Sequence, residues 1–99
     1  MLYMIIGRDV PGSSPLRARV RPAHLSRIQT LLDEGRLILA GPNPIADSPE
    51  PGPAGVSGSL IVAEFASLEA AQAWIAADPY VTEGIFATTE VLPFLKVLP

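Results

Sequence analysis

The one histidine of the chain, His24, is the residue best suited to acid–base chemistry. An imidazole titrates at about pH 6.5, so it can accept or donate a proton near neutrality. His24 also lies on the apolar face of a predicted helix, where an aliphatic side chain is expected. The same position suits a structural histidine, half-buried and hydrogen-bonded to a backbone carbonyl. Both interpretations stay open on this residue alone.

Asp78 is a second polar residue in an unexpected place, at the end of another predicted helix. The C-terminal end of a helix repels negative charge, so a carboxylate there needs a partner. Asp78 could orient His24 and favour its protonated form, against the dipole of a nearby helix N-terminus. It could equally cap the turn that begins at Pro79. The two roles are compatible, because one carboxylate oxygen can accept the capping bond while the other faces the imidazole.

Three further polar residues are interpreted as substrate-binding: Arg8, Arg21 and Ser59. Each arginine could bind a substrate carboxylate through two parallel hydrogen bonds. Each could equally form a structural ion pair with Asp9 or Glu83. Ser59 could donate a hydrogen bond to a ligand, although a serine after a glycine at the start of a strand is also ordinary hairpin chemistry.

The composition limits the class of protein. Hydrophobic residues make up 48% and charged residues 17% of the 99 residues, which is typical of a folded domain and not of a disordered chain. No cysteine and only one histidine are present, so we expect no disulfide and no metal site. No glycine-rich phosphate-binding loop is found, and we predict no cofactor.

Charge and hydropathy limit the partners. The net charge of −3, without a strong basic cluster, argues against nucleic-acid binding. The apolar run at residues 2–6 is too short for a signal peptide or a membrane span. We therefore expect a cytoplasmic protein that does not bind nucleic acid or membranes.

Hydrophobic periodicity divides the chain into four strands and two helices. The predicted strands cover residues 2–6, 36–40, 59–65 and 86–95. Pro22 interrupts the first helical pattern, so we predict a short turn from about Pro15 and then a main helix with Pro22 in its first turn, ending at Gly35. The second helix begins after Ser67 and ends at Pro79. Residues 41–58 form a loop rich in proline and glycine, and so long a connection in a small domain is usually functional or mobile.

The order β-α-β-β-α-β predicts an α+β fold of the ferredoxin-like type, in a single domain at residues 1–99. The four strands then form an antiparallel sheet with two helices on one face. The first two strands are apolar on both faces, while the helices can cover only one of them. We therefore expect a second copy of the chain to cover the other face, which predicts a homodimer.

Chain direction brings the polar candidates to one end of this fold. The first strand ends where the main helix begins, and the second helix ends at the same edge of the sheet. The residues collected at this edge are Arg8, Arg21, His24, Ser59 and Asp78. We therefore predict a site at this edge, in which His24 and Asp78 meet.

Several short motifs, spread over nearly the whole chain, stand in an order that is typical of one family. They are Arg8-Asp9-Val10-Pro11-Gly12, Arg21-Pro22-Ala23-His24-Leu25, Ala40-Gly41-Pro42, Gly58-Ser59-Leu60, Ala77-Asp78-Pro79-Tyr80, Gly84-Ile85-Phe86 and the late Pro93. On these motifs the chain resembles the YciI-like (YCII-related) proteins of the dimeric α+β barrel superfamily. The longer, proline-rich loop at residues 41–58 departs from the family's pattern.

The resemblance implies a ferredoxin-like protomer, a homodimer and an active site built on a His–Asp pair, which maps onto His24 and Asp78. Relatives include lyase- or isomerase-type enzymes that act on small aromatic compounds. We therefore expect a small-molecule enzyme in which His24 is the acid/base and Asp78 orients it. An anionic or carbonyl-bearing substrate of unknown identity would be positioned by Arg8, Arg21 and Ser59. The alternative is a non-catalytic dimeric module that binds a ligand in the same pocket or serves as an accessory protein.

Overall fold

Four strands and three helices make up the fold, and the computed structural model describes all of residues 1–99. The elements are β1 (Leu2–Asp9), α1 (Ser14–Asp33), β2 (Leu37–Pro44), a short 3₁₀ turn (Gly52–Ala54), β3 (Val56–Glu64), α2 (Leu68–Ala76), α3 (Pro79–Thr82) and β4 (Phe86–Phe94). The strand order is β2-β3-β1-β4, and every neighbouring pair is antiparallel. With its helices on one face, this is the ferredoxin-like α+β fold that the order of elements predicts. None of the helices combines the length and the apolar character needed to cross a membrane.

α1 is one continuous helix, and the predicted break near Pro22 is wrong. Pro22 cannot donate a hydrogen bond to the carbonyl four residues earlier, a loss that costs about 3 kcal/mol in a helix interior. Burial on both sides of the proline offsets this cost, since Leu16 packs against the core before it and Ile28 is buried after it. His24 consequently lies in the middle of the helix, too far from its N-terminus for the helix dipole to act strongly on it.

The proline-rich connection is shorter than predicted, because the strands on either side of it are longer. β2 continues to Pro44 and β3 begins at Val56, so the irregular segment is limited to residues 45–55. β2 lies at the edge of the sheet, where a strand tolerates proline. The backbone N–H of Ile45 donates to the carbonyl of Gly55 at 3.1 Å, which closes the two ends of the loop.

The core lies between the sheet and the helices. Tyr3 of β1 and Ile61 of β3 point towards the helices and are buried there against Ile75 of α2 and its neighbours. The side chain of Ser67 accepts a hydrogen bond from the backbone N–H of Ala70 at 3.0 Å, so it caps α2 as predicted. This arrangement fixes α2, and with it the turn that carries Asp78.

The other face of the sheet carries an apolar row whose two ends are exposed. Leu39, Val62, Met4 and Leu92 are paired in register across the four strands in the order β2-β3-β1-β4. Leu39 and Leu92, at the two ends of the row, are 48% and 40% exposed. The strands are therefore apolar on both faces, and the helices cover one of them.

Candidate active site

His24 and Asp78 meet, as the chain direction predicts, and both side chains are buried. The Nδ1 atom of His24 lies 2.8 Å from Oδ1 of Asp78, and the two side chains are 8% and 0% exposed. His24 comes from the middle of α1, while Asp78 is the N-cap of α3. The same Oδ1 atom also accepts the backbone N–H of Tyr80 at 2.9 Å. The capping contact and the imidazole contact therefore coexist on one carboxylate oxygen.

The second ring nitrogen of His24, Nε2, is open to a cavity. Nε2 has no hydrogen-bond partner in the chain. Every fully buried side-chain nitrogen and oxygen of the structure does have a partner, so Nε2 cannot be fully buried. Nε2 is therefore accessible, and His24 lines a cavity. With a carboxylate on Nδ1, the neutral ring carries its proton on that atom and leaves Nε2 as a free acceptor. Such a nitrogen is placed to take a proton from a bound molecule.

Asp78 is held as a carboxylate by the groups around it. Its Oδ2 accepts a hydrogen bond from Nη1 of Arg27 at 2.9 Å. Arg27 is itself fixed by the Trp74 carbonyl at 2.8 Å and by the Trp74 ring, whose centroid lies 4.3 Å from the guanidinium. Burial by itself would raise the pKa of this carboxyl. Hydrogen bonds from His24, the Tyr80 backbone and Arg27 outweigh burial and hold the pKa below its usual range.

Tyr80 stacks on His24 and forms one wall of the cavity. The two ring centroids are 3.9 Å apart and the planes differ by 9°. Tyr80 is in turn buried and packs edge-on against Phe86, with a centroid distance of 5.4 Å. Burial raises the pKa of the Tyr80 phenol, so this wall is uncharged at neutral pH. The stack restricts rotation of the imidazole and keeps the orientation that Asp78 sets.

The cavity has a volume of about 620 Å³, which lies within the range of small-molecule sites. It is bounded by α1, β2, the first half of β3 and the loop at residues 45–55, with Leu25, Ile28 and Pro42 among its apolar walls. Two arginines line it and no acidic side chain does, which favours an uncharged or anionic ligand over a cation. Nowhere in the structure do three or more His, Cys, Asp or Glu side chains gather as metal ligands.

Two of the three predicted ligand-binding residues line this cavity. Ser59, near the start of β3, is 5% exposed, and Arg21 is largely exposed along α1. Arg8 lies elsewhere, on the open face of the sheet, where it is 4.0 Å from Glu90. Successive side chains of a strand point to opposite faces of the sheet, so Asp9 faces the helices and Arg8 faces away from them. The geometry therefore does not place Arg8 with the other predicted ligand-binding residues.

Arg17, which the sequence interpretation missed, is the best anchored arginine of the cavity. Its Nε and Nη2 atoms lie 2.7 and 3.3 Å from the two carboxylate oxygens of Asp9, and Nη2 also donates to Oγ of Ser59 at 2.7 Å. The sequence spacing could have indicated Arg17, because Arg17, Arg21 and His24 are four and then three residues apart and so share one face of a continuous helix. The predicted helix break concealed that continuity.

Nearly the whole chain matches a described protein family. Residues 1–95 match the YCII-related domain. The chain belongs to the YCII-related family. Protein YciI of Escherichia coli O6:H1 is 57% identical to it over 97 residues, which cover 98% of this chain and 99% of that protein. An uncharacterized protein of Haemophilus influenzae is 45% identical over 97 residues, with the same coverage of 98% and 99%.

A solved structure is similar to this YCII-related chain in both sequence and fold. It is the 5-chloro-2-hydroxyhydroquinone dehydrochlorinase (TftG) of Burkholderia phenoliruptrix in complex with 2,5-dihydroxybenzoquinone. The TM-score is 0.84 at 27% identity, and the match covers 96% of this chain and 94% of the dehydrochlorinase. The family match and this similarity confirm the predicted resemblance to YCII-related proteins and the ferredoxin-like fold.

Proposed function

We propose that this YCII-related protein is a small-molecule enzyme of the lyase or isomerase type, with His24 as its acid/base. The observation that carries the proposal is the free Nε2 of His24 in the cavity, with Nδ1 bonded at 2.8 Å to the buried Asp78. A carboxylate–imidazole pair fixes the tautomer and stabilises the ring once it has taken up a proton. A purely structural histidine does not require its second ring nitrogen to face a cavity that can hold a ligand.

The reaction class follows from what one base can do. In an elimination the base takes a proton while a leaving group departs with its bonding electrons; in an isomerisation the proton returns to another atom of the same molecule. Neither reaction needs an external oxidant or reductant. Dehydrochlorination, the reaction named for the similar enzyme, is an elimination in which hydrogen and chlorine leave as HCl. We extend this class of proton-transfer chemistry to His24.

The substrate class follows from the walls of the cavity. Leu25 and Ile28 offer an apolar surface, and Tyr80 adds an aromatic one. Ser59 and Arg21 supply polar groups that can hold an oxygen of the ligand. A small, flat molecule with ionisable or carbonyl oxygens matches this combination. The related dehydrochlorinase structure is a complex with a molecule of this kind, 2,5-dihydroxybenzoquinone. The substrate of this chain is proposed to belong to that general class.

A homodimer is proposed as the working form. The row formed by Leu39, Val62, Met4 and Leu92 crosses the open face of the sheet, and its two ends are 48% and 40% exposed. Val62, in the middle of the row, is buried, and the exposed apolar side chains lie at its two ends. Large apolar side chains left exposed on one face of a folded protein favour an interaction site there. Two copies stacked through these faces would cover the row and leave the cavity, on the opposite side of the sheet, accessible.

A screen for ligands followed by turnover tests the enzymatic function. Small ring compounds with hydroxyl or carbonyl groups are screened by thermal shift, and each hit is incubated with the protein in D₂O and followed by proton NMR. The wild type is expected to exchange a ligand proton or form a product. His24→Gln, whose amide can still bond to Asp78, is expected to be about 10²- to 10⁴-fold slower.

The matched control is Arg19→Gln, because Arg19 is exposed on α1 and does not line the cavity. It is expected to retain the wild-type rate. Turnover by His24→Gln within about threefold of wild type would show that His24 is not the acid/base. A ligand that binds in the cavity and neither exchanges nor reacts would favour the non-catalytic ligand-binding module instead.

A further inference from the structure

Two buried aspartates lie next to the cavity without lining it, and each is hydrogen-bonded to a different residue of the cavity wall. Asp78 bonds to His24, whereas Asp9, at the end of β1, bonds to Arg17. The side chains of Asp9 and Arg17 are 1% and 12% exposed, and both carboxylate oxygens are engaged, at 2.7 and 3.3 Å. Oδ2 of Asp9 also accepts the hydroxyl of Ser13 at 2.6 Å. A guanidinium held by two parallel bonds to a buried carboxylate has a fixed plane and direction.

The hydrogen bonds of Arg17 leave one end of its guanidinium free. Nε–H and one N–H of Nη2 go to Asp9, and Nη2 also donates to Ser59 at 2.7 Å. Nη1 makes no hydrogen bond of good geometry within the chain, although burial raises the pKa of the Tyr80 phenol and Arg17 approaches that phenol closely enough to oppose the rise. Since every fully buried side-chain nitrogen has a partner, Nη1 is accessible. Arg17 lines the cavity. Its Nη1 therefore offers two N–H donors, fixed in position before any ligand arrives.

Arg17 and His24 adjoin the same aromatic ring. The Tyr80 centroid lies 3.9 Å from the His24 centroid and 4.7 Å from Cζ of Arg17. Arg17, His24 and the Tyr80 ring between them line the same cavity, so a ligand lying along the ring would contact all three. No acidic side chain lines the cavity, so no carboxylate on its wall competes with the ligand for Nη1.

We propose that Arg17 determines the specificity of this cavity by binding an anionic oxygen of the ligand at Nη1. This rests on the proposed function of His24. When Nε2 takes a proton from an O–H, or from a C–H beside a carbonyl, the electron pair of the broken bond is left on, or moves onto, an oxygen of the ligand. Arg17 holds that oxygen and stabilises its negative charge. Asp9 is a positioning residue, which acts by fixing the guanidinium.

Arg21 is less suited to this role, although it also lines the cavity. It is exposed and forms no ion pair. An unanchored arginine loses rotamer freedom when it binds a ligand, which weakens the net interaction. Arg17 is already ordered by Asp9 and Ser59, so its donors bind without that loss.

Calorimetric titration with two quinones tests the proposal. The first probe is 2,5-dihydroxybenzoquinone, whose hydroxyl groups are ionised at neutral pH, and the second is the uncharged 2,5-dimethoxybenzoquinone with the same ring. Wild-type protein is expected to bind the anion about tenfold or more tightly than the uncharged quinone, the factor that a charge-assisted hydrogen bond provides.

Two variants remove the oxygen site. Arg17→Gln removes the donors, but it leaves Asp9 buried without its partner and can unfold the chain. The double variant Asp9→Asn with Arg17→Gln removes both charges and is measured beside it. The folded variants are expected to lose about 10- to 100-fold in affinity for the anion and less than about threefold for the uncharged quinone. The matched control Arg19→Gln, on the same helix, is expected to bind both probes as the wild type does.

Three results would overturn the proposal: a wild type that does not prefer the anion, a folded double variant with wild-type affinity for it, and equal losses for the two probes. His24→Gln separates this proposal from the function on which it rests. That variant is expected to lose turnover while its affinity for the anion stays within about threefold of wild type. Retained turnover in His24→Gln refutes the acid/base function alone, whereas lost anion selectivity in the wild type refutes the role of Arg17 alone.

Discussion

Asp78 is bonded to three groups at once, so replacing it is expected to separate their contributions to stability. Asparagine keeps the size of the side chain and an oxygen that can accept the capping bond from Tyr80. Its amide nitrogen takes the place of Oδ2 and faces Nη1 of Arg27, donor against donor, across the present 2.9 Å. A hydrogen bond to a charged group contributes about 1.5–3 kcal/mol. Arg27 is 26% exposed and can turn partly to water, so we expect a loss of about 2 kcal/mol for Asp78→Asn.

Alanine removes the remaining two contacts as well. Loss of the N-cap of α3 adds about 1 kcal/mol. Nδ1 of His24, whose side chain is 8% exposed, is left without an acceptor, which adds about 1–3 kcal/mol. We therefore expect Asp78→Ala to lose about 4–6 kcal/mol in total, near the upper end of the cost of breaking a buried charged pair. For a domain of this size, these losses correspond to decreases in melting temperature of about 10 °C for Asp78→Asn and about 25 °C for Asp78→Ala.

Urea denaturation followed by circular dichroism at pH 7 measures both free energies of unfolding. Protein concentration is kept the same for all variants, because self-association would add to the apparent stability. A difference between the Ala and Asn variants below about 0.5 kcal/mol would mean that neither the cap nor the imidazole contact contributes. A loss below about 0.5 kcal/mol for Asp78→Asn would refute the contribution of the carboxylate charge.

Three further outcomes are expected. Because the pKa of Asp78 is lowered in the folded state, its stabilising contribution is complete above the unfolded pKa of about 4 and is lost as the pH falls through the folded value. Urea titrations at decreasing pH are therefore expected to show a steep loss of stability in acid for the wild type and a shallower one for Asp78→Asn. Equal slopes for the two proteins would contradict this. Gly58→Ala is expected to lower the free energy of unfolding by about 1–3 kcal/mol, because a Cβ there would overlap the carbonyl oxygen of Gly7. Gly41→Ala, whose Cβ would meet no atom nearby, is expected to be near neutral. Similar losses of stability for both variants would refute the close approach of Gly58 to Gly7. Light scattering at micromolar concentration is expected to give twice the chain mass, and Leu39→Glu to shift it towards the monomer; a wild type that stays monomeric at every concentration would rule out the dimer.

The contact between His24 and Asp78 could be predicted from the sequence because it depends on chain direction. In a βαββαβ fold, the order of elements decides which helix and strand ends share an edge, and that order was readable from apolar periodicity. The end of α2 and the adjoining half of α1 therefore had to lie close together. The atomic contact, with Oδ1 of Asp78 shared between the imidazole and the cap, needed coordinates, since either oxygen satisfies the sequence pattern.

The remaining contacts could not be predicted because they depend on burial. The local cost of Pro22 favours a broken helix, and only the tertiary packing of α1 outweighs it. A continuous helix brings Arg17 to the cavity and Arg27 to Asp78, three residues from His24 on the same face. Arg8 is predicted at the site because it ends the first strand at the shared edge. Since β1 is apolar on both faces, alternation along the strand does not reveal that Arg8 points away from the helices.

The protonation of His24 tests the central claim most directly, and the single histidine makes its signals unambiguous. Nitrogen-15 NMR of the imidazole, recorded where the ring is neutral, reports which nitrogen carries the proton. We expect the proton on Nδ1, facing Asp78, and a bare Nε2 whose shift changes when 2,5-dihydroxybenzoquinone is added; in Asp78→Asn the preference for Nδ1 is expected to weaken. A proton on Nε2 in the wild type, or an Nε2 signal that no cavity ligand moves, would contradict an acid/base at this position.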